Sequence, residues 1–501
     1  MNEDSRLLPA LEQPKLILQA FHLCKARIKV EDADTIWDSV ADLAIPLGIP
    51  DLQKLPESLQ PMRDKIMAVA STANSSTSTH RQHQIIPLLP NLPRNVLNFD
   101  IPASATSQRL RGGVYPMLIH DSYVVDLTQC FPQSKFIVAE LGLQLNHQGC
   151  LLPEQIKASI GQTLILFGKP VNWSDDETKF QEVAKNCAEA LLHDALTIDQ
   201  TELYRSGHGR FLGGSIFEFE SEHPDPTQRY HIIVWLDNHA QTAELETKGD
   251  YYYPMLQLLL SRSKIQWSAH QADIAYSEAG KLYEEFDKLS SLLEDRLKDN
   301  TAERLDNLEN WLLEMLQKTL QYTSRIWDIQ NQSTTIKINT ENFDNRLSQM
   351  LALKIDDDLT FLAEFSNRQC QKYQKQITYD LEYLTMGRSL FDRGIDTIRG
   401  LVEIEGQRQQ KVNDEAEKER DRSTTILVAM VGSGLAVSGI SASVKPTAAK
   451  DALSHFGIIF EDSTIAGSIG LYAITIVFHA MVGIIFAFLI KWSTQRFFRY
   501  S

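Results

Sequence analysis

A chain of 501 residues, at about 150 per domain, holds two to four units, with cores large enough to need no disulfide or metal staple. Apolar content of 43% and charged content of 23% lie at the globular average and exclude wholesale disorder. A net charge of -16 excludes a general nucleic-acid binder, and five scattered cysteines without a CxxC pair fit a reducing compartment.

The first residues, MNEDSRLLPALEQPK, lack the basic start and apolar centre of a signal peptide. Residues 1–70 predict short helices, from the rhythm Leu16, Ile17, Ala20 and Phe21 and then Ile36, Val40, Leu43 and Ala44. Residues 71–98, rich in Ser and Thr and then in Pro, predict a linker in which His80 and His83 are solvated.

From 99 to 262 the pattern predicts an α/β domain. Short apolar, β-branched runs at Met117–Ile119, Tyr123–Leu127, Thr163–Phe167, Ser215–Phe219 and His231–Leu236 read as strands, and 175–196 has helical spacing. Gly207-His-Gly-Arg-Phe-Leu-Gly213 nearly imitates a nucleotide fingerprint. Its spacing is one residue too long and a strand follows it, so it reads as a loop leading into a strand. Arg205, His208 and Arg210 make it the most basic loop in an acidic protein and the candidate ligand-binding residues.

Residues 263–422 predict a long-helix stalk bundle. One heptad run passes through Ala272, Tyr276, Ala279, Tyr283 and Phe286, and a second through Leu305, Leu308, Leu312 and Met315. A third passes through Ile377, Leu381, Leu384, Arg388, Phe391, Ile395, Ile398 and Val402, and no proline lies between Pro254 and Pro446. The triplet Asp356, Asp357 and Asp358 reads as an acidic helix start, where carboxylates offset the dipole. It is also the candidate regulatory metal site, because hard cations favour clustered carboxylates.

Residues 423–501 predict a two-span transmembrane domain with a basic tail. Ser423 to Val444 and Ser463 to Ile490 are free of Asp, Glu, Lys and Arg, and both exceed the ~20 residues that cross a bilayer. Lys418, Arg420 and Arg422 before the first run and Lys491, Arg496 and Arg499 after the second place both termini in the cytoplasm. The expected location is the plasma (inner) membrane. His479 within the second run reads as a neutral side chain bonded to a neighbouring helix.

The third heptad seam, continued at the same spacing, reaches Glu405 and Glu419 and then Ile426, Met430, Ser433, Val437 and Ile440. These are the candidate pore-lining residues. Ile426 and Met430 would form apolar rings that close by dewetting, and the glutamates would draw cations inward. A register slip near Gly406 would instead leave the glutamates on the surface, and the competing phase turns Leu427, Val431, Gly434, Ser438 and Ser441 inward.

An α/β domain, folded-back helices, a long helix entering the first span and a second span ending in a short basic tail resemble the CorA-type metal-ion transporter superfamily over about 99–501. The resemblance implies a homopentamer with the first spans lining an ion pore and cytoplasmic domains gating it. It also implies a divalent cation such as Mg2+ as permeant or regulatory ion; no other cofactor is expected. The family's Gly-Met-Asn signature is missing, since the outer end of the first run reads Ser438-Gly-Ile-Ser-Ala-Ser-Val444. No filter residue is therefore carried over.

The expected function is an oligomeric channel or transporter, with the lipid bilayer and further copies of the chain as partners. One alternative is a membrane effector, of the defence type, whose α/β domain senses a small ligand such as a nucleotide. Another is a membrane-anchored coiled-coil scaffold. Residues 1–70 would be free to hold a further partner. No GxxxxGK[ST], HExxH or GxSxG motif points to an enzyme.

Overall fold

Strand β1, Ala10–Leu23, forms where the spacing predicts a helix. Its neighbours on both sides explain the difference. It pairs antiparallel with β5 (Ser122–Cys130) along one edge and with β7 (Gly161–Val171) along the other. A central strand buried on both faces reads as a continuous apolar run, which periodicity cannot separate from a buried helix. Its register with β7 shifts between Glu12 and Lys15, around Pro14.

The computed structural model describes residues 9–24, 35–72, 85–102, 109–132, 134–171, 177–192, 202–296, 304–354 and 356–412. Within them lie β2 (Ile85–Pro87), β3 (Leu97–Pro102), β4 (Arg109–Ile119), β6 (Lys135–Ile137), β8 (Leu203–Phe211), β9 (Gly214–Ser221) and β10 (His231–Leu236). The ten strands form one sheet in the order β2-β4-β5-β1-β7-β10-β9-β8, with β3 on β4 and β6 on β1. Among the described strands only the β7–β10 pair is parallel. The expected linker thus contributes β2 and the first residues of β3, and the α/β domain begins at β1 rather than at residue 99.

The two faces of the sheet differ in chemistry. One presents Leu16, Leu18, Val125, Leu127, Leu164, Leu166, Ile232 and Val234 to a wholly apolar core. That core is completed by α1 (Thr35–Asp42), α2 (Leu55–Thr72), α3 (Leu141–Leu145), α4 (Pro153–Ile156) and α5 (Glu177–Leu191). The opposite face presents the alternate residues, several of them polar, and lies under the start of a later helix.

After α6 (Thr242–Lys248) come α7 (Tyr252–Arg296) and α8 (Arg304–Leu351). Then follow α9 (Thr360–Glu364), a stretch of π-helix at Phe365–Cys370, and α10 (Gln371–Val412). The expected long helices are present, although the boundary drawn at 262 falls inside α7. Two compact units divide the chain. The first takes the described residues of Met1–Thr72, His83–Tyr276 and Trp327–Leu381, and the second those of Ser277–Ile326 and Glu382–Ser501.

In the second unit, three helical segments meet on aromatic rings. Phe391 of α10 lies 4.0 Å from Phe286 and 4.6 Å from Tyr322 between ring centroids, and the Tyr322 hydroxyl donates to Leu384 O at 2.9 Å. Gly387 and Gly394 make this approach possible, since a Cβ would come within 2.4 Å of the Tyr322 oxygen and 2.6 Å of the Phe286 ring. No helix among the described residues is long and apolar enough to cross a membrane. The stretches 423–444 and 463–490 lie outside the described residues.

Candidate functional site

Cross-strand register aligns a row of polar side chains along the second face of the sheet. Tyr115 stands opposite Asp126, Asp126 opposite Gln19, and Gln19 opposite Thr163. The Thr163 hydroxyl meets His231 Nδ1 at 2.7 Å, His231 stands opposite Glu220, and Glu220 opposite Tyr204. Helix α7 covers this row. Tyr252 bonds Asp126 at one end, and Arg262 and Gln266 bond Glu220 at the other. From Tyr252 to Gln266 a helix rises about 21 Å, which matches the roughly 19 Å across the four strand spacings from β5 to β9.

The β9–β10 end is an ionised cluster sealed from water. Arg262 Nη2 donates to Glu220 Oε2 at 2.8 Å and Nη1 to Gln266 Oε1 at 3.0 Å, while Nε sits 3.3 Å from Glu218 Oε1. Gln266 Nε2 donates to Glu220 Oε1 at 2.9 Å, and Ser206 Oγ to Glu218 Oε2 at 2.8 Å. His231 Nε2 donates to Glu218 Oε1 at 2.9 Å, which leaves Nδ1 to accept from Thr163. The Phe365 ring packs against the guanidinium at 5.0 Å.

Burial pushes Glu218 up, but the Arg262 charge, the His231 contact and the Ser206 bond together outweigh it and hold the carboxyl at about 2. Glu220 is also lowered, with Arg262 outweighing burial. Burial pulls Arg262 down and the two glutamates more than reverse it, so the cluster carries full charges inside the protein.

The β5–β1 end has the opposite character. Asp126 is fully enclosed, and its hydrogen-bond donors are the neutral Gln19 amide and the Tyr252 and Thr128 hydroxyls. Burial raises its carboxyl to about 6 despite them. Lys15, whose charge acts weakly on it, is paired with Glu246. One row thus holds a permanently charged group and one that titrates near neutrality.

Two of the sequence candidates meet elsewhere in the first unit. Arg205, His208 and Arg210 lie on β8, an edge strand of the sheet, and not in a loop. Asp356, Asp357 and Asp358 lie in the connection from α8 to α9, and Arg210 and Asp358 exchange backbone bonds of 2.8 and 3.0 Å. The Asp357 carboxylate accepts from Leu212 N at 2.7 Å and Gly213 N at 2.9 Å, the two turn residues of the β8–β9 hairpin. Asp358 accepts from Thr360 N and Oγ1, which lowers its pKa, with smaller contributions from Arg210 and His208.

The glycines of the imitated fingerprint serve this docking. A Cβ at Gly207 would strike the Phe361 ring, and one at Gly209 would lie 2.0 Å from Asp358 O. Asp357 and Asp358 are therefore engaged by the chain's own donors. Among the described residues no three His, Cys, Asp or Glu side chains converge as a metal site would require.

Glu405 pairs with Arg304 of the same chain at 3.7 Å, both side chains largely covered. The seam itself, through Leu384, Phe391, Ile395, Ile398 and Val402, is buried. Glu419, Ile426, Met430, Ser433, Val437 and Ile440 lie outside the described residues.

The sequence reading missed Glu218, Glu220, His231, Arg262, Asp126 and Gln19. The alternation Phe217-Glu218-Phe219-Glu220 was visible, but an acidic stripe on a strand ordinarily marks the solvent face. No family model matches this chain, and no curated protein and no solved structure matches it either.

Proposed function

We propose that this chain is the protomer of a cyclic homo-oligomeric membrane ion channel or transporter, CorA-like in layout and cation-passing, with the α/β domain acting on its gate. The observation that carries this reading is a second apolar face on α10. Tyr383 and Met386 are each 63% exposed, Leu390 43% and Ile404 64%, while the face through Leu384, Phe391 and Ile398 is already filled by the chain's own aromatic core. The spacing of four and three from Tyr383 to Leu390 is that of a helix packing on helices.

An apolar stripe of this kind supports closure by further copies of the same helix. Only the ten residues Asn413 to Arg422 separate α10 from the uncharged run that begins at Ser423. A pentamer is the ring the resemblance implies.

The test is a Met386→Cys variant of the full chain in reconstituted membranes, cross-linked across symmetry-related copies and paired with cation flux from liposomes. A ladder ending at five, together with flux, is expected. A chain that stays monomeric overturns the reading. Flux that appears only on adding a nucleotide selects the ligand-gated effector, and cross-linking without flux under any condition selects the scaffold.

A further inference from the structure

Gln19 Oε1 is buried and has no hydrogen-bond partner, although Gln19 Nε2 of the same amide donates to Asp126 Oδ2 at 3.1 Å. An orphaned acceptor inside a protein is unfavourable by itself. Here it sits beside a carboxyl group enclosed by neutral donors. A protonated acid and a primary amide are complementary, since the acid O–H donates to the amide oxygen while the amide N–H donates to the acid oxygen. With Asp126 ionised, Gln19 Oε1 has no donor; a proton on the carboxyl would supply one.

We propose that Asp126 and Gln19 form a proton-binding site beneath the first turn of α7, in which proton uptake closes an acid–amide pair and replaces the charged acceptor of Tyr252 by a neutral one. This rests on the channel reading only for its consequence; the site itself stands on its own geometry. Tyr252 is the first residue of α7, and its bond to Asp126 is one of the ties holding that end of the helix to the sheet. Hydrogen bonds to a charged acceptor are roughly twice as strong as neutral ones, so protonation loosens that tie.

The groups around the site leave the proton to Asp126. Lys15 of β1 is committed to Glu246 of α6, which also accepts from Tyr251 at 3.0 Å. Tyr115 of β4 and Tyr253 of α7 share a contact of 3.4 Å, and burial first, then each other and Asp126, raise Tyr115 far above neutrality. Burial and then the Asp126 charge raise Tyr252 likewise.

Burial holds Asp126 at about 6, above its ordinary 3.8, so the folded state binds this proton more tightly than the unfolded chain. The stabilisation is complete below about 4 and is lost as pH rises through about 6.

The experiment follows the carboxylic-acid carbonyl stretch of the full-length protein by infrared difference spectroscopy between pH 4.5 and 8, in wild type, Asp126→Asn and Thr128→Val. One carboxyl titrating near pH 6 in wild type and missing in Asp126→Asn is expected. Thr128→Val removes a donor to the ionised form, so its midpoint should move upward. A wild type with no such band, a band retained in Asp126→Asn, or a midpoint unmoved in Thr128→Val overturns the site.

Liposome flux against pH is the second arm. If Asp126→Asn conducts without the wild-type pH dependence, the site regulates the pore. If its dependence equals that of wild type, the regulatory part of the proposal falls. A protein that titrates but never conducts refutes the channel reading and leaves the proton site intact.

Discussion

Arg262 and Glu220 meet at 2.8 Å between α7 and β9, both side chains more than nine-tenths covered, with Arg229 at 3.8 Å from the same carboxylate. The pair joins α7 to β9; beside it His231 bonds Glu218 and Gln266 bonds Glu220, while Arg262 Nε stands 3.3 Å from Glu218 as an ion pair without a hydrogen bond. Such an assembly is a weak source of net stability but a strong constraint, since removing one member strands the others.

Arg262→Met should therefore destabilise the first unit by about 3–5 kcal/mol, measured by chemical denaturation followed by circular dichroism. Adding Glu218→Gln and Glu220→Gln to the same variant should restore much of that loss. A change below ~1 kcal/mol on the single substitution would mean that the guanidinium is not sealed as described.

Acid stability should depend on Glu218. Its folded value, about 2, lies below the ordinary 4.5, so its contribution is present above pH 4.5 and disappears as pH falls toward 2. The magnitude is on the order of 3 kcal/mol. Glu218→Gln should flatten that limb of the stability curve, and an unchanged acid limb would refute the assignment.

Gly209→Ala should release the α8–α9 connection from the edge strand, because its Cβ would lie 2.0 Å from Asp358 O. The strain is about 1–3 kcal/mol, and limited proteolysis should then cut near residues 352–359. Asp357→Ala should act in the same direction by leaving Leu212 N and Gly213 N without their acceptor, at about 1–3 kcal/mol.

On α10 the two apolar faces should respond differently. Phe391→Ala, in the filled core, should destabilise by about 3–5 kcal/mol. Met386→Ala should leave protomer stability within about 0.5 kcal/mol while weakening assembly, read by native mass spectrometry. Equal effects on stability would mean that Met386 is covered within its own chain.

Local pattern determined a good deal. The runs at Tyr123–Leu127, Thr163–Phe167 and His231–Leu236 became strands, the spacing around Ile36 and Val40 became α1, and the long heptads became α7, α8 and α10. Each of these signals sits within a few residues of chain, where side-chain period and backbone geometry are the same fact. The apolar run of β1 carried no such signal, because two-sided burial removes the period that distinguishes a strand from a helix.

What the glutamates of β9 do was settled by α7, 42 residues further along, whose Arg262 covers the face that alternation assigns to water. The orphaned Gln19 oxygen next to Asp126 exists only because β1 and β5, more than 100 residues apart, are in register. Likewise the sequence of α10 offers two apolar faces, and only the rings of Phe286 and Tyr322 decide which one belongs to the chain itself. Periodicity records which residues share a face; burial and charge pairing depend on what lies opposite that face, and the opposing side chains come from distant parts of the chain.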